Sequence, residues 1–281
     1  MKPLAPFLAE KLKRRERVMM IRIDEAVGST PREAGATMLV TANDALGSIG
    51  GGQLEFHAID VAREMMATGE SERAIDLPLG PHLGQCCGGR VLVHLRIADE
   101  ADVAALARAD EAELARDAEA LIFGAGHTGR ALARMLALLP SQTRLIDDRD
   151  GVFDDLPASI SCERLDDPED AIRSASPHAA YVILTHSHAL DYRLADAALR
   201  RGDAAYVGMI GSKTKRARFE KWFIQRGGTR AALKRLTCPI GGGDVRDKRP
   251  EIIAALTAAD IVRAVHLSRA SAEGDMNGRA A

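Results

Sequence analysis

The chain has 281 residues, enough for one large or two ordinary domains, and 46 % of them are hydrophobic, as in an ordinary globular protein. Its 38 Lys and Arg nearly cancel its 40 Asp and Glu, which excludes the global basic field that holds nucleic acid. No apolar run approaches the roughly 18 residues that span a bilayer, and in MKPLAPFLAEKLKRRERVMM the basic cluster follows the short apolar piece, the reverse of a secretory signal. The sequence reads as that of a cytoplasmic protein with neither membrane nor nucleic acid as partner. Four cysteines without framework spacing, Cys86, Cys87, Cys162 and Cys238, fit reduced thiols there.

Residues 1–98 are expected to form an N-terminal mixed α+β domain. VMMIRIDEAV alternates as a strand and GSTPREAG breaks it, because Pro31 and the glycines interrupt a ladder. ATMLVT resumes as a strand, and ALGSIGG follows a turn at Asn43-Asp44. QLEFHAIDVAREMMATG has helical spacing, with Leu54, Ala58, Val61 and Met65 on one face and Gly69 as its stop. GRVLVHLRIA reads as a buried strand. Residues 99–119 carry eight acids against two arginines with frequent Ala, which reads as an acidic linker or a surface helix.

From 120 to 270 the pattern is strand, loop, helix, repeated, which predicts an α/β unit: a Rossmann-like, doubly wound parallel sheet with helices on both faces. The strands are ALIFGAG, TRLIDD, SISCERL, AYVILTHSH and AAYVGMIGS. The helices are HTGRALARMLALLP, PEDAIRSA, DYRLADAALRRG, KTKRARFEKWFIQRGG and a long one from Pro250. Residues 271–281 read as a disordered tail.

Several glycine loops fall where such folds bind ligands. Gly124-Ala-Gly126-His127-Thr-Gly129 follows a strand and opens a helix, and Asp147 ends the next strand about 20 residues on, the dinucleotide fingerprint in its required context. The turn lets a phosphate meet the helix N-terminus, and Asp147 is placed to accept from a ribose or a purine-like edge. Thr185-His186-Ser187-His188, Gly208-Met-Ile-Gly211-Ser212-Lys213 and Pro239-Ile-Gly241-Gly242-Gly243 end other strands, and Gly211, Ser212 and Lys213 make a plausible anion cradle. Between Gly211 and Arg249 twelve Lys or Arg face three Asp or Glu, either a solvated helix face or a local positive field. T-H-S-H resembles the metal motif of metallo-β-lactamase hydrolases, but Asp191 is shifted by one residue and the second His is missing. His186 and His188 therefore read as hydrogen-bonding groups rather than zinc ligands. In the N-terminal half, Gly50-Gly51-Gly52 opens a helix, so that Gly51 and Gly52 offer N–H groups to an anion while Gln53 and Glu55 can read a heterocycle. The residues alone leave open an NAD(P)-dependent oxidoreductase, from the fingerprint, and a thiol-based sulfur carrier, from the Cys86-Cys87 pair. NAD(P) or another nucleotide is a possible ligand of the Rossmann turn.

The motifs also form a series. GSTPREAGATM (28–38), GSIGGGQLE (47–55), LGQCCGGRV (83–91), FGAGHTGRAL (123–132), T-H-S-H-x-L-D, G-M-I-G-S-K and C-P-I-G together resemble the XdhC/CoxI family from about residue 18 to 266. One departure is the loop GGDVRDKRPEI after C-P-I-G. The resemblance implies a molybdenum-cofactor chaperone rather than a hydride-transfer enzyme. Such a protein binds the molybdopterin form of the cofactor, supports exchange of a molybdenum oxygen ligand for sulfur from a cysteine desulfurase, and delivers the product to xanthine dehydrogenase apoenzyme. On that reading the glycine loops hold the phosphate, and Gln53, Glu55 or Asp147 meets the pterin. Cys86 or Cys87 is then a molybdenum-proximal thiolate or a persulfide carrier. A homodimer is the expected oligomer, as the commonest symmetric assembly.

Overall fold

A computed structural model describes residues 3–79, 88–242 and 245–278, which divide into two compact units, 1–115 and 116–281. Cys86 and Cys87 lie outside the described residues, as does Gly243.

The first unit is a five-stranded antiparallel sheet, β1 (Met19–Val27), β2 (Thr37–Val40), β3 (Ala45–Gly47), β4 (Glu72–Pro78) and β5 (Arg90–Ile97), in the order β3-β2-β1-β5-β4. Helix α2 (Gly52–Thr68) covers one face, and its stripe Leu54, Ala58, Val61 and Met65 is buried against Met19, Ile21, Ile23, Val91 and Val93. Gly69 stops the helix in the left-handed conformation. Helices α1 (Leu4–Lys13) and α3 (Glu100–Arg116) cover the other face through Leu8, Met20, Leu39 and Leu106. The acidic stretch is thus largely a packed helix of this unit. Its acids have structural partners: Asp102 pairs with Arg96, and Asp110 accepts from the N–H of Ala5 at 3.1 Å in the first turn of α1. Helix α1 and strand β4 have no counterpart in the sequence reading. ERAIDLP buries only Leu77 fully, so its alternation is weak.

The second unit is α/β, as expected, with six parallel strands: β6 (Ala118–Phe123), β7 (Ser141–Asp147), β8 (Ser161–Arg164), β9 (Ala180–Ile183), β10 (Tyr206–Met209) and β11 (Leu236–Thr237). Their order, β11-β10-β9-β6-β7-β8, reverses direction of growth between β6 and β9, where doubly wound sheets bind ligands. Alternate residues serve opposite faces. Ala120, Ile122, Ala180 and Val182 pack under α4 (His127–Leu136) and α9 (Pro250–Gly278). Leu121, Phe123, Tyr181 and Ile183 pack under α5 (Glu169–Ser174), α6 (His188–Arg201), α7 (Lys213–Gln225) and α8 (Arg230–Leu233). Helix α9 continues to Gly278, through residues read from sequence as tail. The segment holds no proline, and its one internal glycine, Gly274, costs only about 1 kcal/mol in a helix. Among the described residues no helix is long and apolar enough to cross a membrane.

The turn after β6 shows why its glycines differ. A Cβ on Gly129 would stand 1.9 Å from the Gly124 carbonyl oxygen, and one on Gly124 would stand 2.3 Å from that of Leu184, whereas Gly126 faces open space. Two of the glycines therefore let backbone pack on backbone, and the third leaves an approach from outside. Gly129→Ala is expected to cost about 2–3 kcal/mol and to lower the melting temperature of this unit by about 5 °C or more. Gly126→Ala should leave the melting temperature unchanged, and calorimetry of the two variants checks the contrast.

Candidate functional site

In the first unit three motif loops meet. Gly50 lies against Pro31, whose Cγ would be 2.5 Å from an added Cβ, and Gly89 lies against Ser29, whose carbonyl oxygen would be 2.3 Å away. The loop Gly28–Pro31 is thus held between the glycine loop before α2 and the Gly88-Gly89 end of GQCCGG. The Leu79 N–H donates to the Gly89 carbonyl at 2.8 Å, so the chain on either side of residues 80–87 is tied together beside these loops. Pro31 and Ser29 have a role that sequence reasoning missed; a proline in an otherwise glycine-rich motif was the available signal.

The anion cradle expected at the glycine loop is present and is filled from within. Glu55 Oε1 accepts from the N–H groups of Ile49 (3.0 Å), Gly50 (3.3 Å) and Gly51 (2.9 Å) and from the Ser48 hydroxyl (2.5 Å). Burial alone would raise the Glu55 carboxyl; these hydrogen bonds outweigh it and hold the group below its ordinary value. Gly51 caps α2 with φ +79° and open space around it, while Gly52 and Gln53 are exposed. Gln53 is the heterocycle reader left free; Glu55 is largely committed to its own loop.

In the second unit Asp147 is likewise committed. Its carboxylate is buried, accepts from the Ala125 N–H at 2.7 Å, and is gripped by the Arg149 guanidinium at 2.9 Å on each oxygen, with the Arg149 N–H at 3.0 Å. Burial opposes ionisation here too, but Arg149 and the two N–H groups hold the carboxyl far below the usual range. A ribose would have to compete with Arg149 for this acid. Asp147, Asp148 and His186 place ligand atoms within 4.8 Å of one another, yet Arg149 already supplies the cation there. His186 Nδ1 is 3.7 Å from Asp148 Oδ1, and His186 and His127 are exposed. Gly126 and His127, at the start of α4, remain the open approach to the turn.

A third acid is fully buried. Asp191 Oδ1 accepts from the N–H (2.9 Å) and hydroxyl (2.8 Å) of Thr185, and Oδ2 meets Lys215 Nζ, which also donates to the Ile210 carbonyl at 2.8 Å. The pair joins the loop after β9 to the loop after β10. Gly211 leaves room for the Lys215 stem, since a Cβ there would be 2.6 Å from Lys215 Cδ. Ser212 caps α7, accepting from the Lys215 N–H at 3.2 Å. Lys213 is exposed and stands outside the cavity that Gly211, Ser212, Lys215 and His188 line; the inward lysine is Lys215. The missed signal was that Asp191 shares the buried stripe of Leu194, Ala195 and Ala198, and Lys215 that of Phe219 and Phe223. A charge on an apolar stripe requires a partner.

The sites thus fall into one set of loops in the first unit and one set at the carboxyl ends of the strands in the second. The fold and these loops define a two-unit protein: an antiparallel α+β unit with a self-filled glycine cradle and a Rossmann unit. Residues 120–261 match the family model described as the XdhC Rossmann domain, and residues 12–76 match that of the XdhC and CoxI family, so the chain belongs to the XdhC/CoxI family. A solved structure described as a xanthine dehydrogenase from Bacillus halodurans is similar with TM-score 0.73 at 19 % identity, over 93 % of this chain and 95 % of that one, a likeness of fold. No curated protein matches the chain.

Two outcomes test the internal acids. Glu55→Gln should cost about 1 kcal/mol at pH 7, the difference between charged and neutral acceptors. A depressed carboxyl stabilises above the ordinary carboxylate range and loses that contribution as pH falls through its folded value, so the gap between Glu55→Gln and wild type should close in acid. Urea unfolding against pH reads it. Lys215→Met should cost about 3–5 kcal/mol by leaving Asp191 buried and unpaired, and adding Asp191→Asn should recover part of that loss.

Proposed function

We propose that this protein is a maturation factor that binds the molybdopterin form of the molybdenum cofactor as cargo, supports its sulfuration, and delivers it to xanthine dehydrogenase apoenzyme. A cysteine desulfurase is the sulfur source on this reading, the protein works in the cytoplasm, and its assembly is a homodimer. The observation that carries it is the meeting of GSTP, GSIGGGQ and the Gly88-Gly89 end of GQCCGG in one place. Family membership gives that meeting its meaning.

The residues suit the cargo's chemistry. The Glu55 carboxylate, held by three consecutive N–H groups, shows that the loop before α2 has the donor geometry an anion requires, although its occupant is internal. Exposed Gln53 offers both a donor and an acceptor to a pterin edge. In the second unit, taken by itself, Gly126 and His127 stand at a helix start with open space, where backbone N–H groups can meet an anion. Cys86 and Cys87 join directly to Gly88 in sequence, and thiolates suit a soft molybdenum–sulfur centre or carry a persulfide. The cofactor supplies the metal-centred chemistry; this chain binds it, orients it and offers a thiol.

Purified from a host that makes the cofactor, the protein should carry molybdenum and an oxidisable, fluorescent pterin, both reduced by Cys86→Ala or Cys87→Ala. Wild-type protein free of pterin and molybdenum would contradict the reading. A double cysteine variant with undiminished cofactor and sulfuration would contradict the thiol's role.

A further inference from the structure

We propose that the cleft between α6 and α7 is a binding site for a phosphorylated planar heterocycle, distinct from the glycine turn after β6. The cavity measures about 840 Å³, within the range of small-molecule sites. It opens beside Thr185 and Ile210, just past the ends of β9 and β10, on the side of the sheet where α/β proteins take ligands. The hollow beside Gly124 and Asp147 is far smaller, about 10 Å³, too small for a ring.

The charge of the cleft selects an anion. Arg193, Lys215, Arg218 and Arg226 line it, and no described lining residue is a carboxylate. Arg193 is balanced by Glu169 at 2.7 Å and Asp167 at 3.3 Å, and Lys215 by Asp191. Arg218 and Arg226 have no carboxylate partner among the described residues. They stand eight residues apart, Arg218 within α7 and Arg226 at its C-cap, roughly 12 Å along the helix axis. Two unbalanced guanidiniums at that separation suit an extended, multiply charged phosphate ester better than a single small ion.

The aromatic content selects a planar ring. Trp222 lies one turn from each of these arginines and forms the wall with Tyr192, ring centroids 5.6 Å apart. The Arg226 guanidinium sits over the indole, 4.9 Å from its centroid, so this face already accepts a flat group. A heterocycle takes that face and releases Arg226 to pair with phosphate. Nucleotides and phosphorylated pterins share this chemistry. The cleft has these properties whether or not the first unit carries a molybdenum cofactor.

Trp222 is the chain's only tryptophan, so its fluorescence reports on this cleft. The full chain is titrated with ATP, NAD+, dihydroneopterin triphosphate and inorganic phosphate, with calorimetry in parallel. The inference predicts saturable binding of at least one ring-bearing phosphate, about tenfold or more tighter than inorganic phosphate, and the preferred ring names the source. Arg218→Ala with Arg226→Ala should weaken it by about tenfold or more, the effect of losing charge-assisted contacts. Arg218→Gln with Arg226→Gln should do the same where the first pair folds poorly. Lys221→Ala, on α7 outside the cleft, should leave affinity unchanged. No saturable response to any probe, inorganic phosphate binding as tightly as the ring-bearing compounds, or affinity unmoved by both arginine pairs would overturn it.

Discussion

The structure turns on one repeated interaction: a carboxylate that accepts backbone N–H groups from the loop beside it. Glu55 holds residues 49–51, Asp147 holds Ala125 within the Rossmann turn, and Asp191 holds Thr185 after β9. Each loop leaves main-chain donors that water cannot fully serve, and an ionised acceptor satisfies them more strongly than a neutral one. Two of the three acids then recruit a cation of their own, Arg149 for Asp147 and Lys215 for Asp191. The loops are stiffened before any ligand arrives, which reduces the ordering cost of binding.

This arrangement divides the acids from the ligand. Residues that would otherwise read as ribose or pterin contacts brace the loops, and the groups left facing outward are Gly52, Gln53, Gly126, His127, and the cationic wall of α7. Glycine packing completes the frame. Gly129 on Gly124, Gly89 on Ser29 and Gly50 on Pro31 are contacts in which a methyl group would meet neighbouring atoms far inside van der Waals distance. The N-terminal motifs are therefore one packed structure written in three pieces of sequence.

The sequence showed most of the second unit, because strands such as AYVI, buried on both faces, and helices with clear stripes carry strong signals. The antiparallel order of the first unit, strand β4 and helix α1 were not legible, since half-exposed short elements alternate weakly. At the sites, residue types and loop positions were readable; the direction of each side chain was not. Glu55 and Asp147 read as ligand contacts because sequence does not show that N–H groups of the protein itself, Gly51 for Glu55 and Ala125 for Asp147, already occupy them. Lys213 belongs to a Gly-Ser-Lys run that suggests an anion cradle, while Lys215, two residues on, is the one that turns inward to Asp191. The positive character of 211–249 was legible, but not that Arg218 and Arg226 share one cleft with Trp222.

The central proposal is that this chain carries molybdenum cofactor to an acceptor enzyme. The direct measurement is transfer: protein purified with its cofactor is mixed with cofactor-free xanthine dehydrogenase, the two are separated, and molybdenum and pterin are measured in each with the activity of the acceptor. The account predicts that both leave this chain, appear in the acceptor, and bring activity with them. Cofactor retained on this chain, with the acceptor left inactive while free sulfurated cofactor activates it, would contradict the account.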